Sequence, residues 1–201
     1  MDQFKNCSGK RLPDGFAWMN EPEQWRFEQE QLRVEAPAGA DFFVDPLGDA
    51  RRESGPFLYT ELTGDFTVVT RVDVKMESEF DSACLMLWQD DSHWAKLCYE
   101  MSYGWPSIVS VVTKAYSDDS NTLMTLAEPP YLRISRYGST VSMHYSLDEK
   151  TWYMIRYFRM DLEPTIRVGV VAQSPGGSGC SVWFSGFSVK AEPVVDVRGG
   201  I

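Results

Sequence analysis

The stretch Asp65-Phe-Thr-Val-Val-Thr-Arg-Val-Asp-Val-Lys-Met76 decides the fold class. Phe66, Val68, Thr70, Val72, Val74 and Met76 point one way and Thr67, Val69, Arg71, Asp73 and Lys75 the other, the period-2 pattern of a strand with one face on a core. The same alternation recurs from Phe57 onward. Val141, Met143, Tyr145 and Leu147 alternate with Ser142, His144 and Ser146, and Ile166, Val168, Val170 and Ala172 with Arg167, Gly169 and Gln173. Turn signals fall where these strands should end, at Thr63-Gly-Asp65, Asp90-Asp-Ser92, Tyr103-Gly-Trp-Pro106, Tyr137-Gly-Ser139, Asp148-Glu-Lys150 and Pro175-Gly-Gly-Ser-Gly179. No long helical period interposes, so short antiparallel joins predict an all-β sandwich or barrel. Pro37 to Pro56 is expected to form a long loop and Pro193 to Ile201 a tail. Neither resembles an interdomain linker, so residues 1–201 read as a single domain.

Length and charge narrow the function. A folded chain of 201 residues buries about 70% of the surface its unfolded form exposes, enough for a core without disulfides or metal. The net charge of −10, from 29 acidic against 19 basic residues, argues against a nucleic acid or an anionic membrane as partner, because both need a basic face. The first residues, Met1 to Lys10, hold no apolar leader, and no apolar run is long enough to span a membrane. A cytoplasmic location is expected. Cys7, Cys84, Cys98 and Cys180 form no C-x-x-C pair and read as free thiols; with only His93 and His144 beside them, no metal site and no cofactor are expected.

The most unusual strand runs from Trp94 to Met101. Alternation places Ala95, Leu97 and Tyr99 on one face and Trp94, Lys96, Cys98 and Glu100 on the other. Lys96 and Glu100 then lie about 13 Å apart, too far to pair, so each is either solvated or meets a partner from a neighbouring strand. The two histidines lack a G-x-S-x-G elbow and read as exposed strand or turn residues. Asp41, Glu100 and Asp118 are candidates for a carboxylate pair of the kind that cleaves glycosidic bonds. Tyr116-Ser-Asp-Asp-Ser-Asn121 lacks the spacing of a calcium loop and reads as a turn. Most of the seven tryptophans must serve as core, with Trp88 and Trp105 the candidates for a sugar-stacking surface.

Many short motifs occur in a recognisable order. They are Ala40-Asp-Phe-Phe43, Pro56-Phe-Leu-Tyr59, Leu62-Thr-Gly-Asp-Phe-Thr67, Asp81-Ser-Ala-Cys-Leu-Met-Leu87, His93-Trp-Ala-Lys96, Tyr99-Glu100, Val109-Ser-Val-Val-Thr113 and Ser117-Asp118. Tyr131-Leu-Arg-Ile-Ser-Arg136, Val141-Ser-Met-His-Tyr-Ser146, Thr151-Trp152, Arg156, Val168-Gly169 and Ser174-Pro-Gly-Gly177 follow. Over residues 12 to 190 the chain resembles the regulation-of-enolase-like domain family of unknown function. The resemblance implies a concanavalin A-like jelly-roll β-sandwich of two antiparallel sheets, and supplies no activity. The Glu-x-Asp-x-Glu strand motif of that fold's glucanases is not matched, since Glu100 is followed by Met101, Ser102 and Tyr103. Cys84 stands where the family often has Gly, and Asp119 where it often has Trp.

Carried over residue by residue, the resemblance implies a concave polar face lined by Asp41, Lys96, Glu100, Ser110, Thr113, Ser117, Asp118, Arg133 and Arg156, with Trp88 beside them. Glu100, Asp41 and Asp118 would accept hydrogen bonds from hydroxyls while Lys96, Arg133 and Arg156 donate. The expected function is a non-catalytic, lectin-like module for a carbohydrate or polyol. Two alternatives stay open: a glycoside hydrolase or other sugar-active enzyme, and a protein-interaction or regulatory module in carbohydrate metabolism with a protein partner.

Overall fold

The computed structural model describes residues 2–48, 50–122 and 128–201. Its strands are β1 (Phe16–Met19), β2 (Trp25–Glu28), β3 (Gln31–Pro37), β4 (Phe42–Val44), β5 (Arg51–Glu53), β6 (Phe57–Thr63), β7 (Phe66–Val74) and β8 (Ser82–Asp90). They continue with β9 (His93–Ser102), β10 (Trp105–Lys114), β11 (Tyr116–Asn121), β12 (Tyr131–Tyr137), β13 (Thr140–Ser146), β14 (Tyr153–Arg159), β15 (Thr165–Gln173) and β16 (Gly179–Lys190). Among the described residues none is helical, and no helix is long and apolar enough to cross a membrane.

Two antiparallel sheets of seven strands face each other, in the orders β1-β6-β15-β8-β9-β10-β11 and β14-β13-β12-β7-β16-β3-β2. The alternation read in the sequence builds the layer between them. Val68 and Val72 of β7, Leu85 and Leu87 of β8, Leu97 of β9, Ile134 of β12, Met143 of β13 and Phe184 of β16 are all buried in one apolar cluster. Each such side chain contributes about 1.5–3 kcal/mol relative to exposure. Gly169 is needed where β15 runs between β6 and β8, because a Cβ there would lie 1.9 Å from the Leu58 carbonyl oxygen. The Val168-Gly169 motif is therefore a matter of strand packing.

Three expectations are corrected. The segment from Pro37 to Pro56 contains the hairpin β4–β5, paired Phe42 to Glu53 through Val44 to Arg51. Its apolar residues Phe42 and Val44 are buried against the outer face of the first sheet, which explains why a stretch rich in Pro, Gly and Asp is held in place. Tyr116 to Asn121 is not a turn: it pairs with β10 over its whole length as an edge strand. Third, His144 is neither exposed nor in a turn but fully buried.

The cause lies in the C-terminal segment, which folds back over the outer face of the second sheet. His144 Nε2 lies 2.8 Å from the Val197 carbonyl oxygen and donates to it, while Nδ1 is buried without a partner. Val194 N–H donates to Ser135 Oγ at 2.8 Å. Burial, reinforced by the neighbouring Arg133 charge, pushes the His144 pKa down to about 4 although its Val197 bond works the other way. Protonating Nδ1 would place a second donor where nothing accepts it.

The native state thus resists a proton that the unfolded chain accepts from about pH 6.5 downward. The His144 contribution is complete above that pH and is lost as pH falls toward about 4. Hydrogen–deuterium exchange of residues 194–201 should accelerate across this window. His144→Gln, which keeps an amide donor and cannot titrate, should remove the acceleration; an unchanged pH profile in that variant would refute the assignment.

Candidate functional site

The pleat of β9 delivers two kinds of surface from one strand. Ala95, Leu97 and Tyr99 enter the core, and Trp94, Lys96, Cys98 and Glu100 turn outward. Opposite them on β8 stand Ser82, Cys84, Met86 and Trp88, which register with Glu100, Cys98, Lys96 and Trp94. The hairpin β4–β5 covers part of this outer face, and Phe42 meets Trp94 and Phe57 edge-on at 6.1 and 6.4 Å. Beside the hairpin a cavity of about 320 Å³ is left, lined by Asp41, Asp45, Arg52, Phe80, Lys96, Glu100, Asp119 and Gln173 together with Phe43, Val109 and Val111. Its volume lies at the small end of the ligand-cleft range of roughly 300–1,000 Å³.

Lys96 is 3% exposed and carries its charge into the wall of this cavity. Its ammonium lies 3.1 Å from Gln173 Oε1 and 3.5 Å from Asp41 Oδ1. Gln173 Nε2 donates to the same Asp41 oxygen at 2.7 Å, and Arg52 approaches the other at 3.9 Å. Burial works against the lysine charge, but Cys98, Asp41, Cys84 and Glu100 around it outweigh that and hold its pKa above the ordinary value.

Glu100 differs. It is 7% exposed, and no hydrogen bond or ion pair reaches its carboxyl among the described residues. Burial pushes its pKa well above the carboxylate range; Lys96 opposes this, and Cys84, Asp119 and Asp41 add to it. Asp119, at the mouth, is raised as well, first by burial.

The apolar wall contains a strained residue. Phe80 has φ +70°, a left-handed conformation that an aromatic residue rarely adopts. The fully buried Asp81 enforces it. One carboxylate oxygen accepts from Glu77 and Ser78 N–H at 2.9 and 2.8 Å and the other from Ser174 Oγ at 2.6 Å, while Phe80 N–H donates to the Met101 carbonyl at 2.8 Å. The Asp81 and Ser174 motifs thereby fix a loop that presents Phe80, 48% exposed, at the cavity.

Of the residues expected to converge, Asp41, Lys96 and Glu100 do so. Ser110 faces the sandwich interior and Asp118 the edge, where Arg156 reaches across from β14 to bind Asp118 Oδ1 at 2.8 Å and the Ser110 carbonyl and hydroxyl at 3.5 Å each. This triplet clasps the two sheets together. Thr113 Oγ1 lies 2.9 Å from Ser117 Oγ, which accepts from Val44 N–H at 2.9 Å, so this pair pins the hairpin. Arg133 lies on the outer face of the other sheet, stacked on Trp152 at 4.2 Å. Trp88 shares Arg167 with Tyr59, both rings 4.8 Å from the guanidinium, and Trp105 is exposed outside the cavity lining.

Asp119, Gln173, Arg52, Asp45, Phe43 and Phe80 were not expected at the site. Gln173 carried a signal, since it ends the outward-facing set of the Ile166 run. Asp119 would have followed from reading its segment as a strand, one residue out of phase with Asp118. A larger cleft of about 510 Å³ runs along β2 and β3, where Arg33 pairs with Glu35 at 2.7 Å, Arg26 with Glu28 at 2.6 Å, and Lys10 donates to the Glu23 carbonyl at 3.0 Å. No cluster of His, Cys, Asp and Glu suited to a metal occurs among the described residues.

Replacing Lys96 by Met leaves the Asp41 carboxylate buried with only Gln173 and the distant Arg52. Breaking a buried pair from one side costs about 3–5 kcal/mol. We expect Lys96→Met to lower stability by about 3 kcal/mol in denaturant melts, and Lys96→Met with Asp41→Leu to recover part of that loss. Additive losses in the double variant would contradict the pairing.

The fold has relatives of several kinds. At a TM-score of 0.76 and 15% identity, 95% of the chain superposes on 39% of a mutant of the GH43 protein BlXynB from Bacillus licheniformis. Carbohydrate binding module CBM66 from Bacillus subtilis matches over 88% of this chain and 95% of its own at a TM-score of 0.56 and 10% identity. These likenesses establish the jelly-roll sandwich alone. A functionally unknown protein from Saccharomyces cerevisiae superposes at a TM-score of 0.84 with 30% identity, covering 90% of this chain and 98% of that one. "Regulation of enolase protein 1" of Saccharomyces cerevisiae is 31% identical over 175 residues, 87% of this chain and 88% of its own length. A family model described as protein of unknown function, DUF1349, matches residues 18–192, and the chain belongs to that family.

Proposed function

We propose that the cavity beside the β4–β5 hairpin binds a carbohydrate or related polyol and that the protein is a non-catalytic binding module. The observation that carries this reading is the juxtaposition of a fixed polar group, Lys96–Asp41–Gln173, with an apolar wall of Phe43, Phe80, Val109 and Val111 in one sugar-sized space. Sugars present hydroxyls on their rims and C–H groups on their faces, and need both. Lys96 has three N–H donors, two of them committed to Asp41 and Gln173, which leaves one for a ligand. Asp41, Glu100 and Asp119 supply acceptors, and Arg52 a further donor at the rim. The structural likeness to CBM66 is in keeping with this use of the fold. The four unbridged cysteines accord with a reducing, cytoplasmic setting.

A second reading, a regulatory module with a protein partner, draws on the name of the yeast relative and on Trp105 and Tyr103, which are 61% and 76% exposed at the β9–β10 turn. A purified complex lost on Trp105→Ala and unaffected by sugar would favour it.

Calorimetric titration of the full chain against a panel of mono- and disaccharides tests the first reading; a flat response from folded protein would end it. Phe80 gives a sharper variant test. Glycine tolerates its backbone conformation and alanine does not, so Phe80→Gly should be about 1 kcal/mol more stable than Phe80→Ala. Both variants should lose sugar affinity by about tenfold for want of the ring. Full affinity in either would remove Phe80 from the site.

A further inference from the structure

The charges around the cavity do not cancel. Asp41 is answered by Lys96, Gln173 and Arg52, so the charge of Lys96 is offset while one of its N–H donors stays open. Glu100 at the base and Asp119 at the mouth have no ion pair among the described residues. Glu100 is enclosed by Lys96 on its own strand, Ser82 and Cys84 on β8, Ser107 on β10, Asp119 on β11, and Asp41 with Arg52 from the hairpin side. The two cations of the lining, Lys96 and Arg52, both pair with Asp41. Glu100 is more than nine-tenths buried as a residue and lines an open cavity without a hydrogen bond or ion pair among the described residues, so a bound group that pairs with its carboxyl is favoured.

An anion is disfavoured because Asp41, Asp45 and Asp119 outnumber Lys96 and Arg52 in the lining even while Glu100 is protonated, and a neutral polyol brings no charge. We infer that the preferred ligand is a sugar bearing a free amino group, its ammonium seated between Glu100 and Asp119 and its hydroxyls on Lys96, Asp41 and Gln173. The inference rests on the polyol reading above and adds the charge of the ligand. It has a proton consequence. Glu100 holds a proton in the empty site more readily than an ordinary glutamate, and an arriving ammonium favours the ionised form, so binding expels that proton. Affinity for the ammonium form therefore falls as the solution is acidified.

Titration calorimetry with glucosamine, galactosamine and mannosamine, each against its neutral parent and its N-acetyl derivative, tests this. Measurements run from about pH 5.5 to about pH 7.5 in two buffers of different ionisation enthalpy. At least one amino sugar should bind about tenfold or more tightly than its parent and its N-acetyl form, the gain expected of a charge-assisted hydrogen bond. Its binding heat should differ between buffers by the release of a proton, and its affinity should weaken toward low pH. Glu100→Gln keeps the shape and should abolish both the preference and the proton release, whereas Asp161→Asn, at a remote exposed pair with Arg159, should keep both. Glu100→Gln should also melt higher than the natural protein at neutral pH, since it removes a desolvated carboxyl. Equal affinity for neutral and amino sugars, or a preference that survives Glu100→Gln, overturns the inference and leaves the polyol reading standing. No binding by any sugar overturns both.

Discussion

An ammonium group held out of water at the centre of a sheet is the constraint around which the outer face of this protein is arranged. Lys96 cannot retreat into the core, because the pleat of β9 gives that direction to Ala95 and Leu97, and it cannot reach solvent, because the β4–β5 hairpin lies beside it. Its charge persists only with an acceptor close by. Asp41, at the entry to the hairpin, and Gln173, at the end of β15, supply that acceptor from positions 55 and 77 residues away in the chain. The contact therefore ties the hairpin to the sheet and at the same time fixes the polar end of the cavity. Thr113 and Ser117 do the same from the other side through Val44. Stability and site geometry here depend on the same few side chains.

How much of this was legible depends on where the signal resided. Strands such as β7, β13 and β15 turn one apolar face to the core and announce it by alternation, and the two faces along Trp94 to Glu100 lie as that alternation assigns them. The hairpin was not legible, because its strands are three residues long, too short for a period, and its apolar residues are buried against the outside of a sheet rather than in the main core. β11 was obscured for a related reason: an edge strand of composition Tyr-Ser-Asp-Asp-Ser-Asn has the residues of a turn and takes its shape from pairing with β10. His144 looked like the polar half of an alternating strand and is buried only because the C-terminal segment returns to cover it.

The site residues divide along the same line. Asp41, Lys96 and Glu100 converge, whereas Asp118 and Ser110 lie on the opposite side of their strands from the cavity. A shift of one residue in a pleated strand exchanges the two faces, so Asp119 takes the place expected of Asp118. Arg133 and Arg156 sit on the other sheet, and no pattern within either strand reports which sheet it joins. Their roles are nonetheless physical ones: Arg156 clasps the sandwich edge through Asp118 and Ser110, and Arg133 stacks on Trp152 beneath the C-terminal segment. Polar motifs shared by a family can thus mark what holds the fold as readily as what contacts a ligand.

Two features that cost stability meet in one place. Several non-glycine residues adopt positive φ, but Gln29 and Glu30 form the two-residue turn between β2 and β3, Tyr103 begins that between β9 and β10, Ala115 joins β10 to β11, Glu149 lies in the turn between β13 and β14, and Asn6 and Asn20 belong to a residue type that tolerates it. Phe80 has neither excuse. It is aromatic, belongs to no hairpin turn, and is forced into its conformation by the buried Asp81. Glu100, across the cavity, is a buried residue whose carboxyl no hydrogen bond or ion pair reaches among the described residues, with only the Lys96 charge working against its burial. Folding alone selects against each, and a chain free to vary would relieve the first with glycine and the second with glutamine at little structural cost. Their coincidence around one space, between a polar triad and an apolar wall, is what selection for a bound ligand would leave behind.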